Sequence, residues 1–491
     1  MSKSTRRQFL EDSMFATAAL AAAAWQANPA SRLFAEEAGG STSPNDKLSV
    51  CCVGVRGRGV EHINSYLNRK DCEITWIVDA DENVGKGRAA EIAKKQGREP
   101  KVVTDMRKAF DDKDVDIVSI ATPNHWHALA AIWALQAGKD VYVEKPVSHN
   151  VSEGRRIVEV ARKYNKICQT GTQSRSMKGM RDGIQFIHDG GIGNVSIARG
   201  LCYKRRPSIG PKGEYPVPQG IDYSLWLGPA PMAPVTRRQF HYDWHWQWPY
   251  GNGDLGNQGI HQMDIARWGL KVDQLANNAW SFGGRIGYED AGETPNTQVC
   301  FFDYDDGKSL IFEVRGLETK PFMGAGVGNI FHGSDGYVVM PSYDSAVVFD
   351  AKGNKLKEFH GAGNHFDNFL DAVRSRKTED LHADILEGHF SSGLSHLGNI
   401  SYRQSTDEVA IADLKQLAEK SNAALFAHDL ISRIESHVTD NHLDAKATKF
   451  RVGPALPFDP KAEKFVNNSA ADALLTRAYR APFVVPTSDK I

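Results

Sequence analysis

Two stretches of the sequence combine residue types that can move a proton. The first is Asp140-Val141-Tyr142-Val143-Glu144-Lys145-Pro146. Alternating β-branched and aromatic residues read as a short buried strand, and Pro146 ends its ladder. A Glu-Lys pair at the carboxyl end of a strand sits where open α/β sheets gather their ligands. A lysine buried there loses basicity and exchanges protons near neutral pH. On a solvated loop the same pair would have no such role. The second stretch runs from Gly253 to Trp268. From Asn257 it reads as a helix on which Asn257, His261 and Asp264 share one face, at i, i+4 and i+7. A polar stripe beside Ile260, Met263 and Ile265 is not explained by burial alone, although a lone histidine is more often structural.

Both stretches need a frame. The 491 residues suffice for two domains with large cores. Leu48 to Val53 reads as a buried strand, followed by Gly54-Val55-Arg56-Gly57-Arg58-Gly59 and a helix to Leu67. Strand, glycine turn and helix start form a cradle for a pyrophosphate, whose charge meets backbone N–H groups and the positive helix end. The usual spacing is Gly-x-Gly-x-x-Gly; here Arg56 takes the middle position and Gly57 follows. A second strand, Glu73 to Val78, ends in Asp79, 20 residues after Gly59. That is the spacing of a carboxylate that binds adenosine ribose hydroxyls. Its charge repels a 2′-phosphate, which favours NAD over NADP; Arg56 and Arg58 pull the other way. Further on, helices at 84–96, 128–137 and 151–164 alternate with strands at 116–121 and 167–170. Alternation of this kind predicts a parallel, doubly wound sheet over 47–170.

Strands at 195–203, 276–282, 298–304, 309–316, 328–332 and 336–340 predict a second sheet, with Asp305-Asp306-Gly307 closing a hairpin. Exposed apolar faces on it would drive a homodimer or homotetramer. The six cysteines show no metal spacing and read as buried free thiols. A net charge of −1 argues against nucleic acid or an anionic membrane as partner. No metal site is expected.

In this order, the glycine turn, Asp79, Thr122-Pro123-Asn124-x-x-His127 and Glu144-Lys145-Pro146 resemble the Gfo/Idh/MocA oxidoreductases over roughly Lys47 to Arg403. The resemblance implies an α/β Rossmann domain followed by an α+β domain with a large open, mostly antiparallel sheet. Expected segments are 47–170 for the first domain, 171–363 for the second, returning helices at 364–404 and an extension at 405–491. It also implies that Thr122, Asn124 and His127 touch the dinucleotide, that Glu144 contacts the nicotinamide end, and that Lys145 meets the reacting sugar hydroxyl. His125 is expected at the surface. Gly171 to Arg175 would mark the crossing between domains, with Arg175 holding a substrate group or a structural ion pair. His261 matches the family's Asp-x-x-x-His-x-x-Asp pattern, with Asn257 in place of the first Asp. An amide can orient His261 but supplies no charge. At least one of Trp244, Trp246 and Trp248 is expected to stack on a sugar face, with Trp246 as the candidate. Pro454 to Pro486 is expected as an arm over a neighbouring subunit or over the cleft.

Ser4-Thr5-Arg6-Arg7-Gln8-Phe9-Leu10 and the short apolar run Met14 to Ala24 match a twin-arginine export signal, with a leader to residue 38. The expectation is therefore a periplasmic or secreted NAD-dependent oxidoreductase acting on CH–OH groups of a sugar, with a tightly held cofactor. Lys145 and His261 are its acid/base pair, and Asn257, Asp264 and Arg175 its substrate contacts. The alternatives are an NAD-dependent redox-neutral glycosidase and a catalytically silent sugar-binding protein.

Overall fold

The computed structural model describes residues 47–491, so the twin-arginine stretch lies outside the described residues. Six strands form the first sheet: β1 (Leu48–Val53), β2 (Cys72–Val78), β3 (Lys101–Val103), β4 (Ile117–Ile120), β5 (Asp140–Val143) and β6 (Cys168–Thr170). All pair in parallel, in the order β3-β2-β1-β4-β5-β6. This is the doubly wound Rossmann order, in which the chain reverses direction between β1 and β4 and opens a crevice at the strands' carboxyl ends. Strands β4 and β5 are buried along their whole length. Their near-continuous apolar runs follow from helices covering both faces. The crossover helices are α1 (Arg58–Leu67), α2 (Glu82–Gln96), α3 (Met106–Phe110), α4 (Asn124–Gln136) and α5 (Val151–Lys163). Eleven of the 13 residues of α4 are buried, which explains its lack of a polar face.

After α6 (Lys178–His188), β7 (Val195–Tyr203) opens the second sheet. Strands β8 (Asn278–Gly284), β9 (Thr297–Asp303), β10 (Ser309–Arg315), β11 (Val327–Gly333), β12 (Gly336–Met340), β13 (Ser345–Asp350) and β14 (Lys355–His360) follow. Only β7 and β10 pair in parallel; the other pairs are antiparallel. Two-residue periodicity splits its apolar side chains between two cores. Cys300, Phe302 and Phe312 join one core with Met263 and Leu394. Phe301 and Ile311 join the other with Leu414, Leu430 and Ile434. The second group belongs to α12 (Ile411–Ala418) and α13 (Ala427–Asp440). The chain's own C-terminal helices thus cover the part of that face formed by β7 to β10.

Helices α10 (His365–Ser375) and α11 (Ile385–Arg403) return to the first sheet. Phe366 of α10 stacks on Tyr142 with ring centroids 4.6 Å apart. Helix α11 packs on α5, where a side chain at Gly154 would strike His389. Beyond it, β15 (Asp407–Ala410), β16 (Lys449–Val452), β17 (Leu456–Asp459) and β18 (Lys464–Phe465) extend the second sheet next to β8. The segment after β18 then reaches α4, where Phe483 and Val485 are buried with Trp126. All six cysteines are buried free thiols. No helix among the described residues is long and apolar enough to cross a membrane.

Candidate active site

The turn after β1 is fixed by close approach. Gly54 has φ +78, and a Cβ there would fall 2.7 Å from the Thr122 nitrogen and 2.8 Å from the Ala121 oxygen. A Cβ on Gly59 would collide with the Gly54 oxygen. Gly57 caps α1 at φ 53 with no side-chain cap; Gly59 N and Val60 N donate to the Arg56 and Gly57 carbonyls, and the positive helix end faces an anion. Arg56 is exposed, and nothing crowds a Cβ at Gly57. The irregular spacing therefore shifts the glycine without closing the cradle. Asp79 accepts hydrogen bonds from the Val55 and Asp81 backbone N–H groups, each at 2.9 Å. Burial holds its carboxyl up at about 6.

Above the turn lies a cavity of about 420 Å³, lined by Gly54, Arg56, Gly57, Arg58, Asp79, Thr122, Asn124, His127, Glu144, Lys145 and Asn257 among others. The Thr122 hydroxyl is buried there without a partner. A helix start without a side-chain cap, an orphaned hydroxyl and a carboxylate just after β2 fit a dinucleotide. Asp79→Ala is expected to weaken NADH binding by about 2 kcal/mol, roughly thirtyfold, the worth of a charge-assisted hydrogen bond. A fluorescence titration measures it; unaltered affinity would contradict the assignment of Asp79 to the ribose.

Glu144 ends β5 in a buried network. Its Oε1 accepts from Arg58 Nε at 2.7 Å and lies 3.2 Å from His62 Nε2. His62 Nδ1 is 2.8 Å from the Ser119 hydroxyl. Arg58 and His62, four apart on α1, share the face that meets Glu144. Burial raises the Glu144 pKa, but Arg58 and His62 outweigh it and hold the carboxyl well below its usual range. Glycine is needed at 171, where a Cβ would sit 2.9 Å from the Glu144 carboxyl carbon.

Lys145 projects from the same loop, and its Nζ donates to the Asn257 carbonyl at 2.7 Å. Asn257 ends α8 (Gly253–Asn257), and α9 (Gly259–Leu270) begins after a break at Gln258. The sequence reading had one helix from Asn257 onward; the break turns the Asn257 carbonyl out of the helical ladder and toward Lys145. Burial, with a further push from Arg58, lowers Lys145 to about 8 against the pull of Glu144. His261, in the first turns of α9, is 5% exposed. Burial first and Lys145 second hold its pKa well below the ordinary range, so the ring is neutral. Its Nδ1 is buried with no partner. No hydrogen bond from Asn257 orients it; the ring instead meets Tyr343 edge-on at 5.2 Å.

Several expected contacts lie elsewhere. Arg175 Nε donates to both oxygens of Asp264, at 3.0 and 2.8 Å, and Asp264 also accepts from Ser391. Glu387 bonds Arg175 and Arg267. These groups satisfy one another, and neither Arg175 nor Asp264 borders the cavity. The i+7 stripe placed Asp264 with His261, but the helix turns it toward the Arg175 side. Trp246 is likewise packed away, against Ile209 and Ala291. Trp244 borders the cavity in its place. His125 is buried rather than exposed, bonded to the Trp226 carbonyl at 3.0 Å. His127 ties two loops together: Nδ1 lies 2.6 Å from the Pro146 carbonyl and Nε2 2.7 Å from the Thr122 carbonyl. Asn124 borders the cavity and donates to Asn252 at 3.3 Å.

The sequence reading missed His62, Tyr343 and His245. His62 is signalled by its spacing from Arg58; His245 only by the aromatic and imidazole density of His241-Tyr242-Asp243-Trp244-His245. His245 Nδ1 lies 2.6 Å from the Tyr242 carbonyl, and the ring stacks on Trp244 with centroids 3.6 Å apart. A carbonyl only accepts, so Nδ1 carries the proton. Burial keeps the ring neutral, with a pKa of about 3. Nε2 is then a bare acceptor at a residue that borders the cavity beside Lys145.

A parallel Rossmann sheet, a dinucleotide cradle and an amine-imidazole pair beside a second sheet define an NAD-binding oxidoreductase of two lobes. A model of the NAD-binding Rossmann fold of the Gfo/Idh/MocA oxidoreductases matches residues 48–172, and one of that family's C-terminal alpha/beta domain matches 209–435. The chain belongs to the Gfo/Idh/MocA family. A glycosyl hydrolase family 109 protein from Shewanella sp. (strain W3-18-1) is 34% identical over 127 residues, covering 25% of this chain and 28% of that protein. Levoglucosan dehydrogenase from Pseudarthrobacter phenanthrenivorans is 29% identical over 181 residues, covering 37% and 39%. The matched segments thus span less than two-fifths of these relatives. Among solved structures, the WlbA dehydrogenase from Chromobacterium violaceum, in complex with NADH and UDP-GlcNAcA, has a TM-score of 0.56 at 18% identity, over 74% of this chain and 95% of that one.

Proposed function

We propose that the protein is an exported NAD-dependent oxidoreductase acting on a CH–OH group of a sugar or sugar derivative, and that it keeps its cofactor through each cycle. One observation carries the chemistry: the Lys145 amine, lowered to about 8, bridges the first-sheet loop to the Asn257 carbonyl beside a neutral His261. When bound, NAD supplies the hydride acceptor. Neutral Lys145 takes the hydroxyl proton, which gives the oxygen the electron density that expels a hydride from its carbon. His261, held by the Tyr343 ring edge, offers a second acceptor. His245 Nε2 orients a further hydroxyl, and Trp244 supports its ring from behind. The cofactor-retention part rests on Arg6-Arg7 and the following apolar run: an exported enzyme meets no replenished NAD pool.

A second reading is the redox-neutral glycosidase. It is favoured by the similarity to a glycosyl hydrolase family 109 protein and by a further neutral imidazole, His245, that borders the cavity with Lys145. One purified sample separates the readings. Absorbance of NADH that rises with free sugars supports oxidation. Release of p-nitrophenol from p-nitrophenyl glycosides with no net NADH supports the glycosidase. Sugar binding with neither signal would leave a silent binding protein and defeat both.

A further inference from the structure

The cavity has a roof built by residues 218–250, and both margins of that roof are tied down. On one side Gly220 accepts from Glu82 N at 2.9 Å, Asp222 N donates to the Ala80 carbonyl at 2.9 Å, and His241 lies 3.1 Å from Asp81. These bonds fasten the roof to the loop just after Asp79. On the other side is the short helix α7 (Tyr223–Leu227), whose Leu225 and Trp226 border the cavity. A helix end leaves carbonyls without partners. Here Trp126 Nε1 takes the Leu225 carbonyl at 2.9 Å, His125 lies 3.0 Å from the Trp226 carbonyl and Ala230 N takes that of Leu227, while Arg480 takes the Ser224 carbonyl and those of the turn beyond the helix. Arg480 Nη2 donates to the Ser224 carbonyl at 2.6 Å and Nη1 to its hydroxyl at 3.2 Å. Its Nε donates to the Gly228 and Ala230 carbonyls at 3.0 and 3.3 Å. The Arg480 N–H adds a bond to the Pro229 carbonyl at 3.3 Å.

The segment around Arg480 is itself anchored. Phe483 is 4% exposed and meets the edge of Trp126, and the Arg480 guanidinium lies 4.8 Å from the Phe483 ring. Arg477 donates to the Pro249 carbonyl at 3.0 Å, at the far end of the roof. The whole segment lies beyond both family-matched regions, which end at 435.

We propose that residues 477–485 form a strap that controls how long the dinucleotide stays bound, with Arg480 as its positioning residue. The roof cannot lift from this segment without breaking the bonds of Arg480 and its own N–H to four carbonyls, of which that of Ser224 keeps a second donor in Gly228 N. Arg480 touches no part of the cavity, so it acts only through the roof. The inference rests on NAD binding in this cavity and on the retention reading above.

Its test needs no sugar. Wild type, Arg480→Ala and Arg480→Lys are loaded with NADH, mixed with excess NAD, and followed by loss of NADH fluorescence. Amide hydrogen exchange over residues 223–230 is measured on the same proteins. Release is expected to be about tenfold or more faster in Arg480→Ala, the equivalent of one or two net hydrogen bonds. Exchange at 223–230 should rise with it, and Arg480→Lys, which retains only a point donor, should fall between. Release rates within about twofold of wild type would overturn the strap, as would faster release with unaltered exchange at 223–230. If Arg480→Ala fails to fold, Arg480→Lys is read by the same criteria. The ratio of rates judges the strap; the absolute wild-type rate judges retention. Fast release from wild type with a large ratio would therefore defeat the retention reading alone.

Discussion

Lys145→Ala is expected to lose about a thousandfold in turnover on the sugar identified by the assays above, within the range found for a positioned general base. NADH should remain bound, because the glycine turn and Asp79, the groups assigned to the far end of the dinucleotide, are left intact by the substitution. The wild-type rate of oxidation should rise with pH through about 8 and level off above it. The sign follows from the chemistry: only the neutral amine accepts the hydroxyl proton, and it is the majority form above its pKa. Lys145→Arg sharpens the test. Arginine can still donate to the Asn257 carbonyl but stays charged throughout this range. A role in positioning would leave the arginine variant active; a role in proton transfer would leave it as slow as alanine. Full turnover by Lys145→Ala would remove the proposed mechanism.

Glu144→Gln should cost about 2–3 kcal/mol of stability. Leaving a buried charge unpaired costs more, about 3–5 kcal/mol. Arg58, however, is 37% exposed at its side chain and can turn toward water, which reduces the loss. Urea unfolding of the two proteins measures the difference. The pH dependence gives a second check. The folded pKa of Glu144 is depressed, so its contribution is complete above the unfolded carboxyl value of about 4.3 and is lost as pH falls through the folded value. The gap between wild type and Glu144→Gln should therefore be constant near neutral pH and close progressively under acid. A gap that widens below about pH 4 would mean that Glu144 is not held ionised by Arg58 and His62.

The parts of the site that could be read from the sequence are those set by neighbours along the chain. The glycine turn and Asp79 were legible because a strand, a tight turn and a helix start impose their own spacing. Glu144 and Lys145 were legible because a proline ends a buried strand there. Arg58 and His62 carried a readable signal in their four-residue separation. The second sheet was found where its strands carry apolar residues that are buried on both faces. Strands β13 and β14 were not anticipated; β14 has almost no buried residue, so its hydrophobic pattern is weak. Asp264 is read as a substrate contact because a polar stripe on an apolar helix demands a partner, and Arg175 as either a substrate contact or a structural ion pair; the structure shows the ion pair. The demand was real, but the partner was the other member of the pair, 89 residues away.

The sequence by itself determined the parallel sheet, the glycine turn and the buried lysine after β5, because backbone sterics and side-chain period act over a few residues. Only the tertiary structure decided which polar groups share the cavity. Lys145 meets a carbonyl 112 residues away, and Arg480 secures a roof more than 250 residues away. No local rule encodes such pairings. They follow from where two sheets and a long C-terminal segment come to rest, and there each buried polar group must find a partner or remain, like His261 Nδ1, without one.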